Sequence, residues 1–407
     1  MISVQSIQGE SARRPAAHRA DPAHLRILVL SLVNHLAERN GASTVTRGLL
    51  KSLESPPLNA LVECIPVRKP RDKWHRLAQC GSLLQAAFSN IPSKVAFLRS
   101  EEFRARVVSR FRAEHFDLAI LNGSDLLWIS EFLPASVPRI LISHNIEHLL
   151  FESQIQDLGR MYRPFRAWLR RDAQRLRRFE VEGMRSTGNV VFLSHDDALF
   201  ANRICRDLRY TVVPPMFDYA PPADRAPGPD PGPGLRIGYV GNFGWWPNRQ
   251  GLQWFASRVL PHLSPAIRVN LFGSGSDKVW RGGSRVVGYG VVEEMDRIWA
   301  QCDFMICPAF AEGGVCVKFA EAVYNRMPIL ANRHAARGLP LASDPAIVFA
   351  EEPSEWIEFL NSPAAAELAG RRVSVSTASA FAPENYSAAL HGLVRESVGL
   401  KQSPVEA

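Results

Sequence analysis

The sequence predicts an α/β protein of two Rossmann-like domains facing each other across a cleft. Three observations carry this expectation. Apolar runs with few or no polar residues recur along the chain, as parallel strands covered by helices on both faces require. Glycine or polar clusters follow these runs directly, and segments with helical spacing come next, the order of a βαβ unit. Near the middle, 220–234 reads APPADRAPGPDPGPG, too dense in proline and glycine for a packed element.

The first half opens with a strand at 25–32, LRILVLSL, ending in Asn34-His35. A turn, Asn40-Gly41-Ala42-Ser43, leads into a helix at 44–53. Further strands fit 60–67, 117–121, 139–143, 189–193 and 210–213. The second half begins with a strand at 235–240 that ends in Gly241-Asn242-Phe243-Gly244, followed by a helix at 248–260. A strand at 267–272 runs into Gly273-Ser274-Gly275-Ser276. A short strand at 285–287, a helix at 293–300 and a strand at 304–308 come next. Strands at 329–332 and 346–349 close the sheet, and helices fit 354–360 and 364–368. A final helix at 385–398 is placed to cross back onto the first domain. The expected organisation is a disordered tail over 1–23, a first domain over 24–219, the linker over 220–234, a second domain over 235–384, and a C-terminal helix and tail over 385–407.

Composition narrows the class. With 407 residues, 46% hydrophobic and 22% charged, the chain is long enough for two or three globular domains. No run of 18 apolar residues is present, so no transmembrane helix is expected. The first 21 residues hold Arg13, Arg14 and Arg19 but no apolar core segment, so no secretory signal is expected either. The six cysteines, at 64, 80, 205, 302, 307 and 316, form no CxxC pair and read as buried thiols of a reducing cytoplasm rather than a zinc site. The net charge of +8 is mostly arginine, densest over 160–185. Helical spacing there puts Phe165, Trp168, Leu169, Leu176 and Phe179 roughly on one side. The arginines read as a solvated helix face or a docking surface for anionic lipid. No nucleic-acid-binding motif accompanies them.

The richest segment for chemistry is 313–322, GGVCVKFAEA, between two expected strands. Gly313, Gly314 and Val315 make a turn that offers backbone N–H groups and the positive end of a helix dipole to an anion. Lys318 adds a charge suited to phosphate. Glu321, three residues on, suits the hydroxyls of a ribose, and Glu312 stands where it can face a sugar ring. In the first half, His144 follows a strand directly and is placed to orient a sugar hydroxyl or move a proton. His148, one turn along, reads as structural. Asn40 and Gly41 let the chain pass close to a diphosphate or acceptor, or form an ordinary strand–helix turn. Asn242 and Arg249 occupy the matching place in the second half, and Gly273 begins a glycine turn. No Asp-x-Asp motif is present, so no metal site and no cofactor is expected.

At these residues the chain resembles glycosyltransferase family 4, retaining enzymes with the GT-B fold (glycosyl transferases group 1). GYVGNFGWWPNRQGLQWF, LFGSGS and CDFMICPAFAEGGVCVKFAEAVYNRMPILAN resemble the family's donor domain. NGAST and SHNIEH resemble its N-terminal glycine loop and cleft histidine segment, and VVFLSHDDALF with VVPPMFD the approach to the linker. The resemblance implies a nucleotide-diphosphate sugar donor, with Glu321 matching the second glutamate of the E-x7-E motif, on the ribose. It places His144 near the donor sugar and Lys318 near the diphosphate. It also implies metal independence and a saccharide or lipid-linked acceptor. Gly313 takes the place of the motif's first glutamate, with Glu312 one residue early. Asn242 replaces an arginine, and Arg249 approximates a lysine.

The expected function is sugar transfer from a nucleotide-diphosphate sugar, in cell-surface polysaccharide or glycolipid assembly, in the cytoplasm or peripherally on the inner face of the membrane. Two alternatives stand beside it: a nucleotide-sugar epimerase on the same fold, and a non-catalytic nucleotide-sugar-binding protein.

Overall fold

The computed structural model describes residues 25–67, 86, 89–221, 234–280, 285–293 and 295–400. The expected tail at 1–23 and most of the proline-rich linker lie outside the described residues.

Two parallel sheets form the architecture. The first holds β1 (Arg26–Ser31), β2 (Leu61–Pro66), β3 (Leu118–Asn122), β4 (Arg139–Ser143), β5 (Asn189–Phe192) and β6 (Arg209–Val212), in the order β2-β1-β3-β4-β5-β6. The second holds β7 (Arg236–Val240), β8 (Arg268–Phe272), β9 (Val286–Gly288), β10 (Phe304–Cys307), β11 (Ile329–Ala331) and β12 (Ile347–Phe349), in the order β12-β11-β10-β7-β8-β9. Every pairing is parallel. The central strands are buried along nearly their whole length, which explains their unbroken apolar sequences.

The strand orders locate the crevices. In the first sheet the chain steps outward from β1 to β2, then returns to the other side of β1 at β3. In the second it steps from β7 out to β9, then returns beside β7 at β10. Ligands in such sheets bind beyond the C-terminal strand ends at these reversals.

Seven helices matter for the site and its surroundings: α1 (Gly41–Glu54), α2 (Glu147–Asp157), α3 (Arg166–Thr187), α4 (His195–Ile204), α5 (Trp246–Arg258), α6 (Val317–Tyr324) and α7 (Glu384–Ser397). Helix α7 does cross back. Leu390, Leu393 and Val394 are buried in the first domain's core beside Val45, Leu49 and Leu53. Each such side chain contributes about 1.5–3 kcal/mol by burial. His391 Nε2 reaches the Ser52 carbonyl at 2.7 Å, and Ser52 Oγ bonds Ser387 Oγ at 2.9 Å.

The arginine-rich helix departs from the apolar stripe expected of it. Phe165 and Trp168 are exposed, and α3 instead buries Asp172, Ala173, Leu176, Glu180 and Met184. The reason is polar. Asp172 accepts from the Ser93 amide and hydroxyl, and Glu180 accepts from the amides of Glu147 and His148. These buried carboxylates fix the helix face, and hydrophobicity alone aims it wrongly. His148 is structural: its Nδ1 lies 2.7 Å from Glu180 Oε2.

Candidate active site

A cavity of about 870 Å³ lies between the two sets of strand ends. It gathers Asn40, Gly41, His144, Asn242, Gly273, Gly313, Gly314, Val315, Lys318 and Glu321 from both domains. Two predicted residues are not among those lining it. Glu312 turns outward, where its carboxylate accepts from Arg337 Nη1 at 2.6 Å and its side chain is 55% exposed. Arg249 folds back on the Gly244 carbonyl at 3.3 Å. The Arg337 partner holds the first outward, and the bond to the Gly244 carbonyl holds the second.

Two helix N-termini converge on the cavity. The start of α1 is held by Asn40, whose side chain accepts from the Ser43 amide while Ser43 Oγ accepts from the Asn40 amide. Asn40 is thus a cap, with its side-chain oxygen committed to the helix. Gly41 follows because α6 packs against it. The start of α6 has no side-chain cap; its Val317 and Phe319 amides donate to the Val315 and Cys316 carbonyls, and its positive end faces the cavity. Ahead of it, Gly313 and Gly314 have φ of +82° and +81°, a backbone that glycine adopts freely. A Cβ on Gly314 would overlap the Asn145 side chain, and one on Gly313 would stand 2.8 Å from the Ile146 carbonyl. The turn is thereby pressed against the segment that carries His144. The Gly314 amide is not open to an anion as expected, because it donates to Asp197 Oδ2 at 3.0 Å. Burial raises the Asp197 carboxyl, and Arg337 at 3.6 Å opposes that shift.

Lys318 is the cation of the site, half-buried in the cavity wall. Its Nζ donates to Asn248 Oδ1 at 2.6 Å and Tyr239 OH at 3.0 Å, and lies 4.2 Å from the centre of the Tyr239 ring. Among the described residues no carboxylate pairs with it. Burial works against its charge, but Tyr239, Cys316 and Cys307 together hold the ammonium above its ordinary value. The Cys316 thiol also feels this ammonium. Cys316 is drawn down to about 6, chiefly by the hydrogen bond from Cys307 and then by Lys318.

Glu321 is 6% exposed, and Oε1 accepts from Tyr219 OH at 3.2 Å. Asn325 Nδ2 lies 2.9 Å from that same hydroxyl. Burial pushes the Glu321 carboxyl up to about 7, against the pull of Tyr219 and Arg47. Arg47 is held at the cavity by Asp218, at 3.0 Å.

His144 Nε2 lies 2.6 Å from Asn122 Oδ1. The Asn122 amide donates to Thr46 Oγ1 at 2.9 Å and Ser31 Oγ at 3.3 Å. This network assigns the oxygen of Asn122 to face His144, so Nε2 carries the proton and Nδ1 keeps a lone pair. Burial lowers the His144 pKa to about 4. The ring is a neutral acceptor.

Sequence reasoning missed Arg47, Asn122, Tyr219, Tyr239 and Asn248. Asn248 was one residue from view: it neighbours Arg249, and its Nδ2 donates to the Asn242 carbonyl at 2.9 Å. Asn242 itself closes a local turn, its Oδ1 accepting from the Gly244 amide at 2.8 Å. Gly273, at φ +110°, is required because a Cβ would overlap the Gly241 carbonyl.

Comparison with known proteins agrees with this architecture. Residues 234–361 match the family model "Glycosyl transferases group 1". No curated protein matches the chain in sequence. Among solved structures, sucrose-phosphate synthase from Thermosynechococcus elongatus is similar at a TM-score of 0.64 and 14% identity, covering 91% of this chain and 98% of that one. HepE of Anabaena, in complex with UDP and glucose, is similar at 0.60 and 16%, covering 92% and 100%. WaaG, a glycosyltransferase involved in lipopolysaccharide biosynthesis, is similar at 0.52 and 13%, covering 92% and 98%. The second domain thus carries a match to the group 1 glycosyltransferase model, and the chain has the GT-B fold.

Proposed function

We propose that this chain transfers a sugar from a nucleotide-diphosphate sugar, held on the second domain, to a saccharide or lipid-linked acceptor held by the first. The observation that carries this reading is Lys318, a half-buried ammonium on the cavity wall whose hydrogen-bond partners are the neutral oxygens of Asn248 and Tyr239, with no carboxylate among the described residues. A partly desolvated cation of this kind is stabilised by an incoming anion. The uncapped start of α6 and the nearby start of α1 add positive potential at the same place. Glu321, one turn along α6, accepts the ribose hydroxyls, and His144 accepts a hydroxyl proton of the donor sugar through Nδ1.

The transfer we propose is retaining. The bond from the anomeric carbon to the diphosphate breaks, the acceptor oxygen bonds that carbon on the same face, and the acceptor proton passes to a diphosphate oxygen. Lys318 and the helix ends carry the charge that develops on the leaving group. The reading requires no divalent cation, so EDTA is expected to leave nucleotide affinity unchanged. Assembly of a cell-surface polysaccharide or glycolipid, on the inner face of a membrane, fits a lipid-linked acceptor.

The outward turn of Glu312 favours a second reading, a non-catalytic nucleotide-sugar-binding protein. Incubation of the purified protein with UDP-, GDP-, ADP- and dTDP-sugars separates the two. Release of free sugar and nucleotide supports the transferase, whereas tight binding with no turnover, with or without acceptor extract, supports the binder.

A further inference from the structure

The first domain carries a surface that the cleft does not use. After α2 the chain makes a 3-10 turn, Arg160–Phe165, with Pro164 inside it, and then enters the 22-residue α3. The later turns of α3 are anchored by Leu176, Glu180 and Met184. Its first turns are largely exposed. Met161 is 77% exposed, Tyr162 43%, Phe165 60% and Trp168 37%. Four large apolar side chains within eight residues, all open to solvent, are unlike the scattered apolar residues of an ordinary surface.

Charge surrounds them. Arg163, Arg170, Arg171, Arg177 and Arg178 are exposed, and the first turn of α3 holds no acid. Among the described residues, none of these five arginines has a carboxylate partner. Guanidinium groups beside protruding Tyr, Trp, Phe and Met match the interface of an anionic bilayer. Aromatic rings settle there at headgroup depth, and arginine meets the lipid phosphates.

Position adds a second argument. Trp246 Nε1, at the start of α5, donates to Asp157 Oδ2 at 2.8 Å across the domains. Its neighbours Trp245 and Pro247 line the cavity. The patch begins four residues after Asp157, and Arg166 is pinned beside it through the Leu158 carbonyl at 2.7 Å. The surface therefore adjoins the rim of the cleft.

We propose that Met161, Tyr162, Phe165 and Trp168, ringed by Arg163, Arg170 and Arg171, dock the first domain on an anionic lipid bilayer at the mouth of the cleft. The docking stands apart from the glycosyl-transfer reading; only the choice of a lipid-linked acceptor rests on it.

The test is flotation of the full chain with vesicles of phosphatidylcholine alone and of phosphatidylcholine with phosphatidylglycerol in equal parts. The protein should float with the anionic vesicles, stay down with the neutral ones, and be released by molar salt. Arg170→Gln/Arg171→Gln should lower partitioning roughly 30-fold, and Phe165→Ser/Trp168→Ser should abolish it, both with unchanged nucleotide affinity. Brominated lipid should quench the wild-type fluorescence, and the mild change Trp168→Phe should remove the largest share of that quenching. Equal flotation with neutral vesicles, no flotation at all, or quenching unchanged in Trp168→Phe would overturn the proposal. So would a dimer in sedimentation that the same substitutions dissolve, since the patch would then be a protein interface.

Discussion

Gly41 of the first domain faces Val317 of the second so closely that a Cβ on the glycine would stand 3.1 Å from the valine Cβ. The starts of α1 and α6 thus meet across the cleft, so that an anion bound there would lie near both positive ends. A bulky residue at 41 would hold the domains apart. Gly41→Leu is expected to weaken nucleotide-sugar affinity roughly tenfold or more, about 1.4 kcal/mol, while thermal stability changes little. Calorimetry together with a melting curve checks this, and unchanged affinity would mean that the two helix ends act independently.

Glu321 gives a pH dependence of known sign. Burial raises its carboxyl to about 7 in the free protein, so it is largely protonated at lower pH. The carboxylate accepts two ribose hydroxyls better than the acid does, so binding favours the ionised form. Affinity for a nucleotide-diphosphate sugar, whose diphosphate keeps its charge in this range, should therefore rise with pH through about 7. Glu321→Gln should bind weakly at every pH and lose the slope. A wild-type affinity that falls as pH rises would contradict the assignment.

His144 makes the opposite kind of prediction. With its pKa lowered to about 4, it stays neutral across about pH 5–8, and its own titration adds no limb to the activity profile there. Asn122→Asp would set a carboxylate against Nε2 and raise the His144 pKa. The imidazolium has no lone pair at Nδ1, so the variant should lose activity as pH falls through that raised value. His144→Ala should cost on the order of 100-fold in kcat. A pH–rate comparison of wild type and Asn122→Asp measures the effect.

Cys316 lines the cavity with its thiol drawn down to about 6, whereas burial pushes Cys64 up to about 12. Iodoacetamide at neutral pH should therefore label Cys316 well before Cys64, and nucleotide should slow that labelling. Peptide mass spectrometry reads both rates.

Much of the fold was legible because each buried parallel strand advertises itself as an apolar run followed by glycine or a polar cluster. The return of α7 was legible from its position at the chain's end. The buried face of α3 was not, since Asp172 and Glu180 fix it through backbone amides that only the fold brings near. In the site, Lys318, Glu321 and His144 were visible because each follows a strand end or glycine turn directly. Asn248 and Asn122 were hidden, since each acts through a partner distant in sequence: Lys318 in one case, His144 in the other. Glu312 was misread for the same reason, as Arg337 claims its carboxylate from 25 residues away.

The central claim is that Lys318 is the cation of the cavity wall that receives the donor diphosphate. The direct measurement is calorimetric titration of a nucleoside diphosphate into wild type and Lys318→Met, with circular dichroism confirming the fold of both. Loss of a charge-assisted hydrogen bond to the diphosphate predicts a roughly 10- to 150-fold weaker Kd for the variant. An unchanged Kd in a folded Lys318→Met protein would contradict it.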